Sequence, residues 1–184
     1  MFRSLTRLAA VFLCLAALPA HADLKEPEAM VVLTLSGAIT ETNRGPQTQE
    51  KWTIFSERKI YFDAGAAFDM AMLDGMEQAK IAGTIPETGD PATYTGPRLS
   101  ALLKAVGAEG KDITAYALDD YQMDIPAAMI AEHDPIIATQ VNGEPFDLGD
   151  RGPLMIAFPK AGDPDLQQQI VELEVWALFY IEVK

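Results

Sequence analysis

Cysteine is almost absent from this chain. The single cysteine, Cys14, lies in an apolar segment near the amino terminus, so residues 23–184 contain none. This absence excludes disulfides, thiolate metal sites and cysteine nucleophiles from those residues. Histidine is nearly as scarce, because His133 is the only one beyond residue 22. One imidazole between Glu132 and Asp134 cannot build a histidine metal site, and the sequence favours a solvated loop residue there.

Two further absences narrow the chemistry. The sequence has no Gly-rich loop of the Walker or dinucleotide type and no nucleophile-elbow motif. Positive charge is scarce, since 14 lysines and arginines stand against 27 acidic residues, giving a net charge of −13. Such an acidic surface repels nucleic acid and anionic lipid, so we expect neither as a partner. The simplest interpretation of the negative charge is solubility.

Long apolar runs are confined to the amino terminus. Arg3 and Arg7 precede an apolar run over residues 8–18, and the small residues around Ala20 and Ala22 follow. This order predicts a cleaved secretory signal peptide over residues 1–22, with an apolar run too short to span a bilayer. We therefore expect a periplasmic protein without direct membrane insertion. The two arginines are not adjacent, so we expect export of the unfolded chain.

The remaining residues, 23–184, are expected to form a single domain. Removal of the leader leaves 162 residues and changes the net charge from −13 to −15. That length supports one sizeable core. Strand-like runs interrupted by two short helices predict a mixed α+β domain rather than a doubly wound sheet.

Local patterns predict where the elements lie. Strands are predicted at residues 30–37, within 52–62, and at 113–118, 135–141, 154–158 and 171–183. Helices are predicted over residues 64–79 and 99–106, the second ending at Gly107. The first helix carries a methionine stripe (Met70, Met72, Met76), for which packing is a stronger interpretation than soft-metal binding. Residues 23–29 are interpreted as a flexible arm and residues 41–51 as a loop.

Acidic and aromatic residues suggest one way to bind a planar ligand. Asp119 and Asp120 precede Tyr121 and Asp124 follows it, and a carboxylate can accept two parallel hydrogen bonds from an amino-pyrimidine edge. Tyr121 or Trp176 could cover the face of such a ring. Local sequence nevertheless favours a simpler interpretation, in which Asp119 and Asp120 form a turn between two strands and bond their own backbone.

Arg151 lies on a tight turn just before a strand that reads as buried. Its guanidinium could hold a ligand carbonyl or phosphate, or could pair with Asp150 or Glu144, and the sequence favours neither alternative. A simpler signal precedes it, because Asn142-Gly143 predicts a hairpin turn.

An ordered set of motifs resembles a known family. The chain carries, in order, Tyr94-Thr95-Gly96, Leu99 with Leu102-Leu103, Asp120-Tyr121 with Ile125-Pro126, Asn142-Gly143-Glu144-Pro145, Gly152-Pro153-Leu154 and Pro159. Their order and spacing resemble the oxidoreductase molybdopterin-binding domain of the sulfite oxidase type, over roughly residues 30–184. The resemblance implies a sulfite-oxidase-like α+β fold with a pterin pocket formed by loops at one end of the sheets.

The departures from this family concern the metal. The resemblance implies a molybdenum-binding cysteine at about residues 80–88, where this chain offers Thr84 and no thiol, and threonine cannot replace a soft thiolate. An arginine that grips the cofactor is implied where Met155 stands. Folded export of a cofactor-loaded enzyme would need a twin arginine, which the leader lacks. We therefore expect no molybdenum, no covalently bound cofactor and no catalytic residue.

The resemblance, with these departures, implies an exported non-catalytic protein that binds a pterin or similar heterocycle in the former cofactor pocket. Asp120 would accept from the pterin amino edge, and Tyr121 or Trp176 would stack on the ring. Arg151 would line the remaining polar edge together with Thr84 and Thr88.

Three alternatives follow for the biological role. Short cysteine-less members of the group resemble sensory or accessory proteins of membrane signalling proteins, which implies such a partner here. The second alternative is a molybdopterin-dependent oxidoreductase with atypical metal ligation. The third is a scaffold whose pocket is filled by its own side chains.

Overall fold

A computed structural model describes residues 24–85, 88–149 and 151–184. The predicted signal peptide and Asp150 lie outside the described residues. The strands are β1 (Val31–Gly37), β2 (Gly65–Asp69), β3 (Gln78–Thr84), β4 (Pro91–Pro97), β5 (Ile113–Ala117), β6 (Gln122–Ile125), β7 (Ile136–Ala138), β8 (Gln140–Val141), β9 (Glu144–Pro145), β10 (Met155–Ala157) and β11 (Leu178–Val183). The helices are α1 (Ile54–Glu57), α2 (Met70–Asp74), α3 (Leu99–Ala105), α4 (Ala127–His133) and α5 (Pro164–Leu173). These mixed sheets and short helices confirm the predicted α+β class. None of the helices in the described ranges is long and apolar enough to cross a membrane.

A five-stranded sheet contains most of the long strands, in the order β2-β1-β11-β5-β6. Strands β1 and β11 pair in parallel and the other pairs are antiparallel. Both of these strands are buried along almost their whole length, and in β1 the burial includes the polar residues Thr34 and Ser36. Helix α3 packs Leu99, Leu102 and Leu103 into the same core.

A four-stranded sheet (β3-β4-β8-β9) and a β10-β7 pair complete the architecture. A second hydrophobic cluster, which includes Tyr94, Ile136 and Met155, fills the space between these strands. Strand β4 approaches β7 closely at Gly96, where an added Cβ would lie 1.9 Å from the Ile137 carbonyl oxygen. Only glycine fits at this contact.

The helix predicted over residues 64–79 is wrong over most of its length. Its first part, Gly65–Asp69, is strand β2, which pairs with β1 and is buried throughout. The Asp69 carboxylate then accepts from the Met72 amide at 2.8 Å and caps the short helix α2. The three methionines of the stripe pack partly buried against the main core, so the packing interpretation is confirmed.

The arm before β1 is held by the same aspartate. Residues 24–30 form no helix or strand, but the amides of Glu28 and Ala29 donate to Asp69 Oδ2 at 2.8 and 3.0 Å. The arm is therefore anchored by hydrogen bonds to the end of β2, rather than being free of contacts as a flexible arm would be.

The strand predicted within residues 52–62 is also wrong. Thr53 and Ser56 form a capping box, with Thr53 Oγ1 accepting from the Ser56 amide and Ser56 Oγ accepting from the Thr53 amide, and this begins helix α1. Phe62 makes an isolated bridge with Gln47 instead of joining a sheet. The local capping hydrogen bonds satisfy the backbone here and compete with strand pairing.

Other predictions are confirmed in part. Helix α3 ends where Gly107 adopts a φ of +67°, and strands β1, β5 and β10 lie within their predicted ranges. The predicted strand 135–141 divides at Thr139 into β7 and β8, and the first residues of 171–183 complete helix α5. His133 is the last residue of helix α4 rather than a loop residue. The described residues contain five helices, not two.

Candidate functional site

Arg151 and Trp176, both predicted site residues, are in contact. The guanidinium carbon of Arg151 lies 4.6 Å from the Trp176 ring centroid, a cation–π distance. Arg151 is 6% exposed although it lies in a loop before β10. Its carbonyl accepts from the Ala177 amide at 2.8 Å, so the backbone of this loop is joined to the segment that leads into β11.

Glu174, which the sequence did not predict, lies close enough to Arg151 for their charges to interact. Burial raises the pKa of the Glu174 carboxyl to about 7, and the Phe158 amide, 3.3 Å from Oε1, and the charge of Arg151 oppose that rise. Burial lowers the pKa of Arg151, and Glu174 opposes that shift in turn. The only sequence signal is an acidic residue between two apolar ones, Leu173 and Val175.

Tyr94 connects Thr84 to these residues. The Tyr94 ring is 3% exposed, and its hydroxyl donates to the Thr84 carbonyl at 2.9 Å. Burial, assisted by the Glu174 carboxylate, raises the pKa of Tyr94 to about 12, so the hydroxyl remains a donor at neutral pH. We call Arg151, Trp176, Glu174, Tyr94 and Thr84 the Arg151 cluster.

Thr88 lies in the connection between β3 and β4. Its Oγ1 accepts from the Asp90 amide at 3.2 Å, and the Gly89 amide donates to the Ile85 carbonyl at 2.7 Å. The Thr88 side chain is exposed, while Ile85 packs against the second hydrophobic cluster together with Trp176. Thr88 therefore lies on a hydrogen-bonded turn at the margin of the Arg151 cluster.

Asp120 and Tyr121 lie in the turn between β5 and β6. The Tyr121 amide donates to Asp119 Oδ1 at 3.1 Å and Asp120 has a φ of +75°, which confirms the turn interpretation. The Asp120 carboxylate pairs with Arg58 at 2.9 Å, and its side chain is 82% exposed. The Tyr121 hydroxyl donates to the Glu172 carbonyl at 2.8 Å.

This turn is a neighbour of the Arg151 cluster but does not share its contacts. The Leu118 amide donates to the Ala177 carbonyl at 2.9 Å, which places the start of the turn beside the residue that follows Trp176. The structure thus brings Arg151, Trp176 and the backbone of Thr84 together. Asp120 and Tyr121 form a second polar group next to them.

Part of the chain matches a known family. Residues 73–162 match the family model described as the oxidoreductase molybdopterin binding domain. The matched region belongs to this family. The matched residues include Thr84, Tyr94, Asp120 and Arg151, while Glu174 and Trp176 follow it. No curated protein matches the chain.

The donor set of this molybdopterin-binding domain does not fit a thiolate-bound molybdenum. The chain has no cysteine beyond residue 22, and the region expected to supply one places Ile81 in the second hydrophobic cluster. Within the described residues, no group of three His, Cys, Asp or Glu side chains is placed to hold a metal. An indole, a guanidinium and a carboxyl group suit the edge and face of a planar heterocycle instead.

Proposed function

We propose that this protein is exported and binds a pterin or similar heterocycle without catalysing a reaction, in the pocket of a sulfite-oxidase-like fold. The observation that carries the proposal is the Arg151 cluster, in which a buried guanidinium contacts Trp176 beside a carboxyl group of raised pKa. Membership of the molybdopterin-binding family supports a pterin as the class of ligand. The missing thiol supports binding without a molybdenum reaction.

Each side chain of the site would make a different contact with the ligand. Trp176 would stack on the ring, and Arg151 would donate to a ring carbonyl or a side-chain phosphate. Asp120 would accept two hydrogen bonds from the amino edge, with Tyr121 beside it. Glu174 is a second candidate for that acceptor, because its carboxyl group interacts electrostatically with Arg151, whereas Asp120 pairs with Arg58. Thr84 and Thr88 would line the polar margin.

The compartment and the partner belong to the same proposal. The leader pattern over residues 1–22 supports cleavage and delivery to the periplasm. There the single domain of residues 23–184 would present its ligand state to a membrane signalling protein. The acidic surface supports a partner that is neither nucleic acid nor the lipid surface itself.

Calorimetric titration with reduced and oxidised pterins tests binding. We expect a Trp176→Leu variant to bind roughly fivefold more weakly, because a stacked aromatic contributes about 1 kcal/mol beyond area burial. Trp52→Leu is the matched control, since Trp52 is 87% exposed and is distant in sequence from Trp176. The absence of heat at high micromolar ligand would contradict the proposal.

Two variants then assign the acceptor. Asp120→Ala and Glu174→Gln should differ, with the true acceptor losing most of the affinity. Normal binding by Asp120→Ala would remove only the role of Asp120 and favour Glu174. Stoichiometric molybdenum in protein purified from its native host would instead support a molybdopterin-dependent oxidoreductase with atypical ligation.

A further inference from the structure

A second arginine, Arg44, lies half-buried against strand β1 of the five-stranded sheet. Its Nη1 donates to Thr34 Oγ1 at 2.6 Å. Its guanidinium carbon lies 4.9 Å from the Phe55 ring centroid and 5.8 Å from that of Phe62. The side chain is therefore held between strand β1 and an aromatic cluster beside helix α1.

Arg44 has no acidic partner within the described ranges. The ion pairs within the described ranges involve other cations. The pKa of Arg44 is lowered, and burial is the cause. Arg58 is a useful contrast, because it lies 5.2 Å over Phe179 and also pairs with Asp120. A half-buried cation without a counter-charge is costly, and the cost falls when an anion binds. Guanidinium carries five N–H donors, of which Thr34 uses one.

A cavity of about 300 Å³ opens at Arg44. Arg44 is the charged side chain in its lining, and Phe55 and Phe179 contribute aromatic wall. Four apolar side chains in the lining are unusually exposed: Met30 at 74%, Leu148 at 72%, Val31 at 39% and Ile54 at 37%. The volume is at the lower end of the range for small-molecule sites, so it suits a short ligand.

This cavity is separate from the Arg151 cluster. Leu148 and Pro153 line it from the loop that carries Arg151, but Arg151 itself lies against Trp176. No member of the Arg151 cluster belongs to the lining of this cavity among the described residues. Loss of a ligand here would therefore leave the pterin proposal unaffected.

We propose that the Arg44 cavity binds a small amphipathic carboxylate. The carboxylate would accept two parallel hydrogen bonds from Arg44, in the geometry that guanidinium favours. A short aliphatic or single-ring tail would lie against Met30, Ile54 and Leu148, covering apolar surface that is now exposed to water.

Calorimetry on the exported protein tests this with octanoate as the probe. Octylamine has the same tail with the opposite charge, and acetate has the same charge without the tail. We expect octanoate to bind and both comparison molecules to bind at least tenfold more weakly. Equal binding of octanoate and octylamine would overturn the proposal, because Arg44 would then have no role.

Variants locate the site. Arg44→Met should weaken octanoate binding at least tenfold, while Lys104→Met removes the same charge from an exposed position on helix α3 and should not. Leu148→Ser should weaken it several-fold, and Val171→Ser, 56% exposed on helix α5, is its control. If Arg44→Met does not fold, Leu148→Ser against Val171→Ser decides. Unchanged octanoate binding in a folded Arg44→Met or in Leu148→Ser would contradict the site, whatever the result with pterins.

Discussion

At the scale of single residues, Glu174 has an ionisation that the fold controls. Burial raises its pKa from 4.5 to about 7, so between these values the folded chain holds a proton that the unfolded chain releases. The stability contributed by the protonated carboxyl is therefore complete below pH 4.5 and is lost as the pH rises through 7. A carboxylate in an exposed position would show no such loss.

Glu174→Gln should remove this pH dependence. One pKa unit corresponds to 1.36 kcal/mol, and allowing for partial solvent exposure we expect the wild-type free energy of unfolding to fall by about 2 kcal/mol more than that of the variant between pH 5 and pH 8. Urea unfolding at both pH values measures the difference. The exposed Glu172→Gln is the matched control, and parallel pH curves for wild type and Glu174→Gln would contradict the assignment.

Residue roles were predictable only where a residue type has one strong preference. The Asp119-Asp120 turn and the Asn142-Gly143 hairpin followed from backbone chemistry, and both form, with Asn142 at a φ of +52° and Gly143 at +86°. Glu174 was missed because its raised pKa depends on burial beside Phe158 and Arg151. These neighbours are distant in sequence, and no local pattern encodes them.

At the scale of elements, the contact of β4 with β7 depends on one glycine. A Cβ at position 96 would lie 1.9 Å from the Ile137 carbonyl oxygen and 2.9 Å from the Ala138 Cα, both backbone atoms that cannot move alone. We expect Gly96→Ala to lower the free energy of unfolding by about 3 kcal/mol, measured by urea denaturation. Gly162→Ala is the control, since nothing lies within 4 Å of a Cβ there. Equal stability of the two variants would show that β4 and β7 are not so closely packed.

Element type was predictable where the pattern had one solution. The run that became β1 is apolar and β-rich, and α3 combines helical spacing with a glycine beyond its end. The sequence of residues 64–79 is compatible with two structures. Phe68, Met72 and Met76 have helical spacing, while Gly65–Asp69 also has the composition of a buried strand. Pairing with β1 decided between them. The capping box at Thr53 likewise selected helix α1 over the predicted strand.

At the scale of the whole molecule, three of the 14 lysines and arginines lie over aromatic rings. Arg44, Arg58 and Arg151 lie over Phe55, Phe179 and Trp176 at 4.9, 5.2 and 4.6 Å. The net charge of −13 means that acidic residues outnumber basic ones, and the excess acids repel one another.

This repulsion predicts a salt dependence of stability. Raising sodium chloride from about 10 to about 200 mM shortens the Debye length and screens the acids, so we expect the melting temperature to rise by a few degrees. Potassium chloride should give the same rise, which separates screening from specific ion binding. A melting temperature that falls with salt would show that favourable ion pairs outweigh the repulsion.

The sequence by itself determined the composition-limited properties of this protein: its acidity, the lack of a thiol for metal binding, the mixed α+β class and the family. These properties follow from which residues are present and from short sequence patterns whose residues lie close together along the chain. Only the tertiary structure decided that Glu174 and Tyr94 join Arg151 and Trp176, that Asp120 pairs with Arg58, and that Arg44 lines a cavity. Burial, pKa and side-chain partners arise from packing between distant segments, and local sequence carries no record of that packing.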